Sequence, residues 1–150
     1  MIQNEYLLPR IAMYLKASEF IGLTEIGGEE NNPQIVQFFK EIGHSWVQDD
    51  ETAWCSAFLN WIALKCGCDR SLKLDARSWL GAGNEVHKPE LGHIVILWRE
   101  KPISWKGHTG LFAGIDDKHI HILGGNQGNQ VKVAKYPKNR LLGYREVNYI

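Results

Sequence analysis

Asp50-Glu51-Thr52-Ala53-Trp54-Cys55-Ser56-Ala57-Phe58-Leu59-Asn60-Trp61-Ile62-Ala63-Leu64-Lys65 is the stretch on which the reading of this chain turns. Trp54, Phe58, Trp61 and Ile62 recur at the spacing of one helical face, and Gly67 follows where a helix stop belongs. The pattern predicts a helix starting near Asp50 to Thr52 and ending about Lys65, with Cys55 in its first turn. Two helices are predicted upstream. One covers about Arg10 to Ile21, with Ile11, Tyr14, Leu15 and Ser18 near helical spacing and Gly22 as a cap. The other opens on the cap pair Asn32-Pro33, carries Ile35, Phe38, Phe39 and Ile42 as one stripe, and ends at Gly43. Downstream, a short helix is expected after Asp75, carrying Ala76, Trp79 and Leu80.

The second half changes character. Short β-rich runs at His93 to Trp98, Thr109 to Ile115, His119 to Leu123, Val131 to Ala134 and Leu141 to Val147 are separated by Gly, Asp, Asn and Pro, which predicts strands with tight turns, Asp116-Asp117 among them. Helices followed by strands imply an α+β domain, with helices packed on a mainly antiparallel sheet. A chain of 150 residues without repeats, low-complexity tracts or linkers is expected to form one catalytic domain, residues 1–150, around one core.

Composition narrows the function. Seventeen basic residues balance seventeen acidic ones, so the net field favours neither nucleic acid nor an anionic membrane as partner. No apolar run exceeds five residues, as at Ile94 to Trp98, whereas a signal-peptide core needs about 7–15 and a membrane span about 20. The expectation is a soluble monomer made in the cytoplasm without a signal peptide. Cys55, Cys66 and Cys68 cannot all pair, so reduced thiols are expected.

Cys55 stands out among the three by position. A thiol at a helix N-terminus has its thiolate stabilised, and the free first-turn amides can hold the oxyanion formed when sulfur attacks a carbonyl. The competing reading makes Cys55 a core residue beside Trp54 and Phe58. A thiol hydrolase also needs a base. His108, in Gly107-His108-Thr109-Gly110, opens a predicted strand, a place from which an imidazole can reach the helix terminus and form a thiolate–imidazolium pair. Asn126, in Leu123-Gly124-Gly125-Asn126-Gln127, is the expected orienter of that imidazole, with His121 as rival; paired glycines let a backbone pass close to another element. Asp50, Glu51 and Trp54 flank the nucleophile and are the expected substrate-binding residues. Cys66-x-Cys68 with His119-x-His121 offers a zinc-type donor set, but the spacing is wrong for a structural site. No metal or cofactor is expected. His44, His87 and His93 are read as surface or loop residues.

Trp54-Cys55-Ser56-Ala57-Phe58-Leu59-Asn60-Trp61, Gly92-His93-Ile94-Val95-Ile96, Gly107-His108-Thr109-Gly110 and Leu123-Gly124-Gly125-Asn126-Gln127, in that order, resemble the CHAP/NlpC-type cysteine peptidoglycan hydrolases. Glu25-Ile26-x-Gly28 with Asn32-Pro33 and the terminal Leu142-Gly143-Tyr144-Arg145 further resemble a small single-domain, phage endolysin-like subfamily. The resemblance runs from about residue 10 to 146. It implies a papain-like fold and a Cys55-His108-Asn126 site that forms a thioester acyl-enzyme. The implied substrate is the peptidoglycan stem peptide, cut by an amidase or endopeptidase that acts on the cell wall after release or export. An exported effector would also have an immunity protein as partner. The chain departs from the pattern at His93, where many relatives have Asp, and at Gly124, where CHAP domains often carry Glu. The alternatives are a deamidase or acyl-transferring toxin acting on protein glutamine, and a non-catalytic wall-binding phage protein.

Overall fold

The computed structural model describes residues 7–27, 30–48 and 53–150. Helix α1 spans Pro9–Ser18, α2 Pro33–Glu41 and α3 Cys55–Lys65, followed by a 3-10 turn at Ala76–Gly81. Asn32 caps α2 as expected, its side-chain oxygen accepting from Gln34 N at 2.9 Å. Helix α3 starts at Cys55 itself, with Trp54 as N-cap, so the nucleophile candidate occupies the first helical position. Asp50, Glu51 and Thr52, where the start was expected, lie outside the described residues.

Six strands follow: β1 (Asn84–Val86), β2 (Ile94–Trp98), β3 (Gly107–Ile115), β4 (His119–Gln127), β5 (Gln130–Pro137) and β6 (Leu141–Glu146). They form one antiparallel sheet in the order β1-β6-β2-β3-β4-β5. The α+β expectation holds, with each of the five expected strands present. Strand β1 is an addition: Asn84-Glu85-Val86 carries too little apolar pattern to read as a strand and exists by pairing with Tyr144 to Glu146.

Strand β2, in the middle of the sheet, is buried on both faces, which explains its unbroken apolar run. Ile94, Ile96, Leu111, Leu123 and Val131 face the helices, in a core with Met13, Phe38, Phe39, Phe58, Trp61 and Trp79. Val95, Leu97, Phe112, Ile120, Ile122 and Tyr144 form a second cluster, against which Tyr136 packs. Helix α3 is the centre of the first core, buried at every position from Cys55 to Ala63. A helix without a wet face needs partners for its polar side chains. Ser56 Oγ donates to Lys73 O at 2.7 Å, Asn60 Nδ2 donates to Ser56 O and Lys73 O, and Asn60 Oδ1 accepts from Leu72 N. These bonds tie the loop after α3 onto the helix.

No helix among the described residues is long and apolar enough to cross a membrane.

Candidate active site

The N-terminus of α3 meets the sheet where β2 ends and β3 begins. Cys55, His108, Asn126, Tyr136, Arg99 and Arg140 are among the residues lining one cavity there, of about 140 Å3. The backbone explains the meeting. His108 lies opposite Leu97 in the β2–β3 pair, and β4 returns beside β3 to bring residues 124–127 to the same end. Gly125 sits directly on Trp54: a Cβ there would lie 2.5 Å from the indole ring. The predicted close approach of the paired glycines is therefore real, and its partner is the residue just before Cys55.

His108 has a built anchor. Its Nε2 is 2.8 Å from Gln127 Oε1. The Gln127 amide is oriented by its own donors, because Nε2 gives hydrogen bonds to Ile122 O at 3.1 Å and Lys132 O at 2.6 Å. Oε1 is then an acceptor, so the imidazole must hold its proton on Nε2 and keep a lone pair on Nδ1. Tyr136 stacks on the ring at 4.9 Å between centroids. The side chain is thus held by one hydrogen bond and one flat face.

Gln127 replaces Asn126 in the orienting role. Strict alternation from Ile122 would put Asn126 on the face of His108, but β4 carries a bulge between Gly124 and Gln127 in its pairing with β5. Asn126 adopts a left-handed conformation, φ 57°, and the bulge delivers Gln127 to the imidazole. Asn126 remains on the cavity wall. The rival His121 is remote, since it pairs with Gly114 toward the far end of the hairpin and bonds Asp116 Oδ2 at 2.8 Å.

Electrostatics also differ from the expected ion pair. Cys55 is only 7% exposed, and burial pushes its thiol up. Backbone amides of Thr109 and Ser56 and the charge of Arg99 pull the other way without cancelling it. Burial lowers His108 to about 4, with the Gln127 hydrogen bond opposing and Arg99 reinforcing. Both shifts favour the neutral forms, because burial disfavours thiolate and imidazolium alike. Tyr136 is likewise raised, first by burial and then by the nearby Cys55.

Trp54 is fully buried and offers no surface to a substrate. Its Nε1 donates to Glu25 Oε1 at 2.6 Å, so the early Glu25 motif locks the turn that presents Cys55. Asp50 and Glu51, the other expected substrate residues, lie outside the described residues. His93 lies in the loop just before β2, as expected, but it is buried there, its Nδ1 accepting from Glu90 N at 2.9 Å.

Arg77 was not legible from the sequence. It donates to Lys106 O, Pro102 O and Lys101 O at 2.7–2.9 Å, fixing the loop that joins Arg99 to His108. Cys66 and Cys68 sit at the end of α3 as free thiols, while His119 and His121 share Asp116 on the β3–β4 hairpin. The zinc-type set is dispersed, and no three His, Cys, Asp or Glu residues among the described ones are grouped to hold a metal.

No family model and no curated protein matches the chain.

Proposed function

We propose that this chain is a papain-like cysteine hydrolase that cleaves an amide bond in the peptidoglycan stem peptide. The observation that carries the chemistry is the shared cavity of Cys55 and His108, with the imidazole tautomer set by Gln127 so that Nδ1 is the free acceptor. The four ordered motifs around these residues support the substrate class.

In this reading the Sγ proton of Cys55 passes to His108 Nδ1 as sulfur attacks the carbonyl. The oxyanion is met by amides at the start of α3. The imidazolium then protonates the leaving amine, the C–N bond breaks, and a thioester remains on Cys55. Water hydrolyses it with His108 again taking the proton, restoring the neutral pair. Gln127 holds Nε2–H throughout, a role for which a neutral amide suffices.

Mass spectrometry of purified peptidoglycan treated with the wild type and with Cys55→Ala tests this. The wild type is expected to release new amino termini at one bond type, which also identifies the bond, and Cys55→Ala is expected to lose at least ~10³-fold in rate. Intact peptidoglycan together with Cys55-dependent ammonia release from a protein glutamine would move the chain to the deamidases.

A further inference from the structure

We infer that Arg99 and Arg140 form a carboxylate-binding subsite beside Cys55, so that the amide cut by this chain is flanked by a free carboxylate on the substrate. The inference deepens the hydrolase reading and rests on it for the chemistry, though not for the binding.

Among the described residues lining the cavity that holds Cys55 and His108, Arg99 and Arg140 carry fixed charge and none is a carboxylate. Arg99 directly follows β2, and Arg140 closes the short turn before β6. The guanidinium of Arg140 lies over Trp98, 5.6 Å from the ring centroid, which gives it a flat support while leaving its edge donors unused. Arg10, Arg77 and Arg145 show what engagement looks like in this molecule, whereas Arg70, whose buried Nη1 has no partner among the described residues, lies away from this cavity. Arg10 bonds Leu91 O and Glu90, Arg77 bonds three carbonyls, and Arg145 bonds Leu80 O. Among the described residues, neither Arg99 nor Arg140 has a side-chain hydrogen bond or an ion pair.

Two unengaged guanidinium groups at the mouth of a small cavity present planar forks suited to a carboxylate, which accepts from them in pairs. Their placement is held rather than incidental: Arg77 pins the loop between Arg99 and His108, and Trp98 backs Arg140. The cavity, of about 140 Å3, has room for a carboxylate group. A stem peptide offers two carboxyls of this kind, the α-carboxyl of its γ-linked glutamate and the carboxyl terminus.

The probe is the tetrapeptide L-alanyl-γ-D-glutamyl-L-lysyl-D-alanine in four forms: both carboxyls free, each one amidated, and both amidated. Turnover is measured with the wild type, Arg99→Gln and Arg140→Gln, and binding by calorimetry with Cys55→Ala. Amidating one of the two carboxyls is expected to lower wild-type kcat/KM roughly 10- to 100-fold, the size of one charge-assisted contact, and the arm that shows the loss identifies the carboxyl. In each arginine variant the acid-to-amide ratio is expected to fall toward one, with Arg99→Lys and Arg140→Lys recovering part of it. Equal turnover of the free and doubly amidated forms by the wild type overturns the inference while leaving the hydrolase intact. So does a preference that survives in both arginine variants. If neither the tetrapeptide forms nor purified peptidoglycan is cut but Cys55→Ala binds the free acid over the amide, and loses that preference when either arginine is replaced, the subsite stands and the hydrolase reading falls. Absence of preferential binding together with intact tetrapeptide and intact peptidoglycan overturns both.

Discussion

Two histidines on one hairpin, His108 at the mouth of β3 and His121 near the start of β4, are held in opposite ways. His108 is packed under Tyr136 and bonded to a neutral amide, and its basicity falls to about 4. His121 lies at the outer end, against the Asp116 carboxylate, where a second histidine, His119, also approaches. The Asp116 carboxyl is held well below its ordinary range, first by His121 and then by the Lys118 amide. An amide partner orients the ring without charging it. Of the two, it is His108 that shares a cavity with the Cys55 thiol.

The comparison can be broken most decisively by activity. Replacing His108 with Ala is expected to lower peptidoglycan turnover by about 10²–10⁴-fold, the usual contribution of a positioned acid–base group, while His121→Ala stays near the wild-type rate. The reverse outcome would make the outer histidine the base.

Exchanging the partners sharpens it. Gln127→Glu puts a carboxylate against Nε2 and is expected to raise His108 above about 4, moving the acidic limb of the kcat/KM profile toward neutral pH. Gln127→Ala removes the anchor and is expected to cost about 10- to 100-fold in rate, as loss of an orienting partner usually does. Both variants leave the carbonyls of Ile122 and Lys132 without their donor, at about 1–3 kcal/mol of stability. A pH profile that does not move with Gln127→Glu would show that the amide has no hold on the base.

Stability against pH gives a smaller effect. The folded state disfavours imidazolium at His108, whose ordinary value is 6.5. Between about 6.5 and 4 the unfolded chain therefore binds a proton that the folded chain does not, so stability is fully present above 6.5 and declines as the pH falls toward 4. Thermal melts across that window should show a decline that is shallower in His108→Gln; identical slopes would remove His108 from the account. Asp116→Asn is expected to do least: a slight loss of stability at neutral pH, disappearing in acid, and no change in turnover. Its carboxyl is depressed in the fold, so its contribution is present above the unfolded value and is lost as the pH falls. A loss of activity in Asp116→Asn would tie the outer cluster to the site.

Much of the architecture was legible in local pattern. Asn32-Pro33 started a helix because a cap and a fixed φ act within one turn, and the β-rich runs paired with short turns because neighbours in sequence are neighbours in an antiparallel sheet. Cys55 at a helix start and His108 at a strand end were readable for the same reason, since each is a matter of position along one element. The orienter was not. Asn126 and Gln127 are adjacent amides, and choosing between them requires knowing of a bulge created by pairing with β5, which slips the face by one residue.

Sequence by itself therefore determined the α+β class, the order of the elements, and where along them the sulfur and the imidazole stand. Only the tertiary structure decided which amide holds His108, that Trp54 is a buried brace to Glu25, that β1 exists, and that burial disfavours the charged forms of thiol and imidazole. Helix and strand periodicity, caps and turns are set by interactions spanning a few residues. Burial, desolvation and the face a bulged strand presents are set by what comes to lie alongside from elsewhere in the chain, and no local pattern carries that information.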